Sequence, residues 1–124
     1  MVRMPDRRPV IALVRDLIFA SRITATAAGV GTSVTLLRDP AKLAEHTSGG
    51  ANTLLIVDLN LAGAIDAARA WKGDTGGSVT GFVSHVDTAT IAAARDAGID
   101  RVLARSRFVE LLPELLRGES SENG

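Results

Sequence analysis

Five short apolar runs, set apart by stretches of helical periodicity, constrain this chain more than any other feature. They are "PVIALV" (9–14), "TSVTLL" (32–37), "TLLIVD" (53–58), "SVTGFV" (78–83) and "RVLA" (101–104). Near-continuous apolar runs of this length are the pattern of strands covered on both faces. After the first run, Asp16 suits a helix N-cap, and Phe19, Ala20, Ile23, Ala27 and Val30 recur at three- and four-residue spacing until Gly29 and Gly31. A second helix is expected over 39–46, with Asp39 as cap and Pro40 at its first position. The Ala-rich stretch 62–72 reads as a third helix, with Ile65 and Trp71 as its larger apolar members and Trp71 expected to be half-buried near its end. A fourth helix is expected over 87–98, ending at Gly98. A fifth over 107–117 puts Phe108, Leu111, Leu112, Leu115 and Leu116 on one face, with Pro113 as a start or a kink.

Strands alternating with helices call for a parallel sheet with helices on both faces, a doubly wound α/β domain over 9–117. The pattern leaves the strand order open; 2-1-3-4-5 is one of the two common arrangements. The ends, 1–8 and "GESSENG" (118–124), are expected to be flexible and disordered, respectively.

Composition narrows the chemistry. The 124 residues carry 14 basic and 14 acidic side chains, so no global field draws the chain to nucleic acid or to an anionic membrane. The absence of Cys excludes disulfides and thiolate chemistry, and only His46 and His85 are available as imidazole ligands. No apolar run approaches the roughly 20 residues of a spanning helix, and a cytoplasmic location is expected.

In an open parallel sheet, ligands bind beyond the carboxyl ends of the strands. The first strand delivers Arg15 and Asp16 there, and the third delivers Asp58 and Asn60. The fourth delivers Ser84 and His85, and the fifth Arg105, Ser106 and Arg107. With the first and third strands adjacent, Asp16 and Asp58 converge. Two carboxylates and a carbonyl make an oxygen-rich site suited to Mg²⁺. A hydroxyl and a cation opposite could hold a phosphoryl group.

From about residue 9 to 117 the chain resembles a response-regulator receiver domain. "VDLN" resembles the phospho-acceptor segment, which implies Asp58 as the phosphorylated residue and the Asn60 carbonyl as a metal ligand. "LVRD" resembles the acidic pair after the first strand, with Asp16 as the second acid. The implied metal ligands are thus Asp16, Asp58 and Asn60, with Mg²⁺ as cofactor. Ser84 matches the phosphoryl-binding Ser/Thr. "GIDRVLARS" resembles the stretch leading to the Lys-Pro pair, with Arg105 on the Lys and Ser106 on the Pro. The resemblance implies the CheY-like, flavodoxin-like order 2-1-3-4-5. It also implies a stand-alone signalling role, not an enzyme. The implied partners are a sensor kinase or downstream protein, met through the face formed by 87–98, 101–104 and 107–117, or a second copy of the chain.

The pattern also departs from the family. Arg15 stands in place of the first acid, and Val102 stands where many receivers carry an aromatic switch residue. The segment after Asp58 is short. A cation a few Å from a metal costs on the order of 4 kcal/mol at an effective dielectric near 20. Arg15 or Arg105 could instead pair with Asp58 and take the metal's place, giving an atypical, phosphorylation-independent adaptor, or pseudo-receiver. A different class, a small-molecule-binding module or small enzyme, shares the architecture, but no Gly-rich phosphate loop follows the first strand. Ser84 and His85 are adjacent on an extended chain and point apart, which disfavours a nucleophile–base dyad. Arg101, Arg105 and Arg107 read as a solvated edge paired with Glu110 or Asp100, or else as an interaction surface.

Overall fold

The computed structural model describes residues 8–85 and 87–118. Five strands, β1 (Val10–Leu13), β2 (Val34–Leu37), β3 (Leu54–Asp58), β4 (Ser78–Val83) and β5 (Arg101–Ala104), form one parallel sheet in the order β2-β1-β3-β4-β5. Four α-helices accompany them: α1 (Leu17–Gly29), α2 (Ala64–Thr75), α3 (Thr88–Asp96) and α4 (Arg105–Arg117). Apart from Arg8 and Gly118, the stretches expected to be flexible lie outside the described residues.

Alternation along the strands sorts side chains into two cores. Val10, Ala12, Val14, Leu54, Ile56 and Phe82 face α1 and α4. Ile11, Leu13, Leu55, Val57, Val79 and Val83 face α2 and α3. Both sets are buried because helices cover both faces, which is why the runs of β1, β3 and β4 read as continuously apolar; the edge strands β2 and β5, expected to be covered in the same way, are only partly buried. Phe19, Phe82 and Phe108 meet in the first core, with ring centroids 4.8 to 5.7 Å apart.

Three elements and one residue differ from the sequence expectation. The segment after Asp39 forms a 3-10 helix over Pro40–Glu45, with Asp39 capping the Ala41 N–H. Its bonds run i to i+3, as from Lys42 N–H to Asp39 O and His46 N–H to Leu43 O. Leu43 is its one buried side chain, too little apolar surface to carry a long amphipathic helix. α2 continues three residues beyond Lys72, tolerating Gly73, and stops where Gly76 takes φ +73° and donates its N–H to Lys72 O. Trp71 is buried rather than half-exposed, and its indole N–H donates to His46 O at 2.9 Å. α4 begins at Arg105 directly on β5, with Ala104 as N-cap, and runs through Pro113. An interior Pro costs roughly 3 kcal/mol. Five buried apolar side chains on α4 offset that cost.

No described helix is long and apolar enough to cross a membrane.

Candidate functional site

Asp58 closes β3 at the carboxyl rim, where Asp58 pairs in register with Phe82 of β4. The next residue, Leu59, turns back into the second core and donates its N–H to Phe82 O at 2.9 Å. This holds the chain after Asp58 against β4. It also depends on Gly81: a Cβ there would lie 2.7 Å from Leu59. The packing leaves the Asp58 carboxylate half-buried.

Partial burial raises the Asp58 pKa above the ordinary carboxylate value, because the charged form loses solvation. The neighbouring Asp16 charge raises it further. A hydrogen bond from Asn60 N–H to Asp58 Oδ1 at 3.0 Å and the charges of Arg105 and His85 oppose the rise. Asp16, Arg105 and His85 therefore all lie within electrostatic reach of Asp58, and the two carboxylates share one rim.

Asp16 performs the capping role expected of it. Its Oδ1 accepts from Ile18 N–H at 2.9 Å and Phe19 N–H at 3.2 Å. The Phe19 N–H bond is the main cause of its lowered pKa. Its Oδ2 faces Arg105 Nη2 at 3.6 Å. The Arg105 guanidinium also lies 4.2 Å from the centroid of the Phe19 ring, a cation–π contact. Arg105 is thus held on the α1 side of the rim. Phe19, read from the sequence only as a core residue, is its platform; no periodic signal distinguishes the two roles.

The alternative pairing of Arg15 with Asp58 does not form in this structure. Arg15 is exposed and, among the described residues, has no ion-pair partner. It lines a shallow depression of about 460 Å³ with Arg38, Asp39 and Pro40, over the β1–β2 side. Nor does Arg105 bond Asp58; its carboxylate partner is Asp16. Of the other two arginines in the cluster, Arg107 pairs with Glu110 at 2.9 Å. Asp100 is met by Lys72 at 2.7 Å and by Val79 N–H.

Asn60 holds a role the sequence did not suggest. Its side-chain Oδ1 accepts from Ser84 N–H at 2.7 Å and from His85 N–H at 3.2 Å. Ser84 thereby joins the same rim, with its side chain exposed. Only the two loop ends, brought together by the β3–β4 pairing, make this contact; nothing in the local sequence marks it.

Among the described residues, no three His, Cys, Asp or Glu side chains group as a metal site. Asp16, Asp58 and the Asn60 carbonyl nevertheless suit a hard divalent cation in kind. The Asp16 charge raises the cost of ionising Asp58, and a cation between them would relieve it. The same relief is already given in part by Arg105.

No family model and no curated protein matches the sequence. Solved structures do. The phosphorylated cyanobacterial phytochrome response regulator RcpA is 16% identical, with 91% of each chain covered and a TM-score of 0.71. A response regulator from Thermotoga maritima is 14% identical, covering 90% of this chain and 96% of that one, with a TM-score of 0.73. The receiver domain of Ssk1, solved with the histidine phosphotransfer protein Ypd1 of Saccharomyces cerevisiae, is 11% identical, covering 94% and 92%, with a TM-score of 0.72. With its strand order and its two helical layers, the chain has the fold of the response-regulator receiver domain.

Proposed function

We propose that this protein is a cytoplasmic signalling receiver, not an enzyme, with Asp58 as phospho-acceptor. The observation that carries the reading is the half-buried Asp58 at the end of β3, electrostatically coupled to Asp16 and Arg105 at one rim. In the transfer, an Asp58 carboxylate oxygen attacks the phosphorus of a donor. The donor's bond to phosphorus breaks, its leaving group departs with the electron pair and takes up a proton, and an acyl phosphate remains on Asp58. Oδ1 already accepts from Asn60 N–H, which favours Oδ2 as the attacking atom.

Asp16, Asp58 and the Asn60 carbonyl would hold Mg²⁺, which supplies charge neutralisation for the phosphoryl oxygens. The Ser84 hydroxyl would donate to the phosphoryl group. Arg105, to follow that group, would leave Asp16 and the Phe19 ring. Because Arg105 opens α4 directly from β5, its movement would be felt by the face made by α3, β5 and α4. That face is the proposed surface for a protein partner or for a second copy. The similarity to RcpA, solved phosphorylated, and to Ssk1, solved with a phosphotransfer protein, supports the reading.

One observation favours a second reading. Arg105 is already engaged by both Asp16 and Phe19, so the face could be held in one state without phosphorylation, as a constitutive adaptor. Incubation with acetyl phosphate and Mg²⁺, followed by intact-mass measurement, separates the two. The receiver reading expects a gain of one phosphoryl group, absent in Asp58→Asn. No gain with acetyl phosphate, and no beryllofluoride-induced change in the amide spectrum, leaves the adaptor.

A further inference from the structure

We propose that the Asn60 side chain is a positioning residue: its carboxamide oxygen, rather than the local peptide chain, sets Ser84 against Asp58. This rests on the reading of Asp58 and Ser84 as acceptor and phosphoryl ligand. β4 ends at Val83, and the chain leaves it through a bend at Ser84 and His85. Both N–H groups of that bend converge on Asn60 Oδ1, at 2.7 and 3.2 Å. A carbonyl oxygen has two lone pairs and can accept both. The reversed amide would aim its own N–H donors at two others, so the orientation is chemically determined.

The residue is bonded at its other end as well, since its backbone N–H donates to Asp58 Oδ1 at 3.0 Å. Residue 60 therefore links the acceptor carboxylate to the β4–α3 loop through two short steps. A change at Asp58 Oδ1 that shifts the residue 60 peptide moves the oxygen on which Ser84 and His85 depend. Asn has the length and the charge this link requires. Ala would leave both donors without their acceptor, Gln would overreach, and Asp would accept equally but add a negative charge beside Asp16 and Asp58. Asn60, Ser84 and His85 are all exposed, so the core does not depend on them.

Amide hydrogen exchange and ¹H–¹⁵N spectra of the full chain test the proposal without any phosphodonor. In Asn60→Ala, the Ser84 and His85 amides are expected to exchange at least tenfold faster than in the wild type, with the sheet amides unchanged. In Asn60→Asp, which keeps the acceptor, their protection is expected to stay within about threefold of the wild type. Exchange at both amides in the Ala variant within twofold of the wild type overturns the proposal. So does an equal loss in the Ala and Asp variants. Beryllofluoride with Mg²⁺ then tests the readout: it is expected to shift the Ser84 and His85 resonances in the wild type and to shift them less than half as far in Asn60→Ala. Equal shifts in both overturn the coupling. A wild type that gives no response at all overturns the coupling and the acceptor reading of Asp58 together, while the exchange data still decide whether Asn60 positions the loop.

Discussion

Asp58 carries its charge where water reaches only part of it, and this has a consequence for stability. Its pKa is raised in the folded state. Folding therefore favours its protonated form, and the charged form costs stability once pH exceeds the folded pKa. That cost is absent below the unfolded value, near 3.8. Asp58→Asn is expected to be more stable than the wild type at pH 7 by a few degrees in Tm, with the difference shrinking as pH falls toward that value. Paired thermal melts across the pH range check it. Asp16 has the opposite sign: its lowered pKa contributes stability at neutral pH that is lost as pH falls through the folded value. Comparing the two proteins at each pH removes this shared background. Arg105→Ala gives a second residue-scale prediction. It removes a cation that lowers the Asp58 pKa, which should rise further. The Asp16 pKa should rise as well, since Arg105 is its ion-pair partner, while the Phe19 N–H, its main support, still holds it down. Carboxyl NMR titration reads both.

At the scale of elements, two glycines are set by close approach. Gly81 makes room for Leu59, and Gly77 lies against Trp71. A Cβ on Gly77 would lie 2.5 Å from the Trp71 ring and 2.7 Å from Thr53 O. Because one of those neighbours is backbone, Gly77→Ala is expected to cost about 1–3 kcal/mol in urea unfolding. The Phe19–Phe82–Phe108 cluster binds α1 and α4 to β4 beneath the rim. Phe82→Ala should cost about 3–5 kcal/mol by the same measurement. A cost below about 1 kcal/mol would mean the cluster collapses without loss. Periodicity located α1 and α4 to within about two residues because their buried faces repeat in the sequence, whereas α2 and α3 are marked by Ala content and, for α3, by Asp87 and Gly98. It missed the end of α2 because Gly73 looks like a stop, and only the αL turn at Gly76 makes the real one. It started α4 late because Arg105 and Ser106 are polar, and polar residues in a first turn leave no apolar signal.

Seen as a whole, the molecule separates its rim from its only Trp. Trp71 packs against Gly77 and bonds His46 O, at the amino end of the sheet. β3 alone, five residues long, spans roughly 16 Å between that end and Asp58. Trp71 emission is therefore expected to report global unfolding in urea but to stay unchanged when beryllofluoride occupies the rim. A rim-dependent emission change would mean that the second core transmits the event along its length.

By itself the sequence determined the five strands, the two helical layers, the Asp16 and Asp39 caps and the convergence of polar residues at one rim. Each of these is local or follows from strand direction. The partners at the rim were decided only by tertiary structure. Arg15 turned away toward β2, Arg105 settled on Asp16 and Phe19, and Asn60 reached Ser84 and His85. These contacts join residues from 24 to 89 positions apart, and which of several similar polar groups meet depends on where each strand end releases its chain.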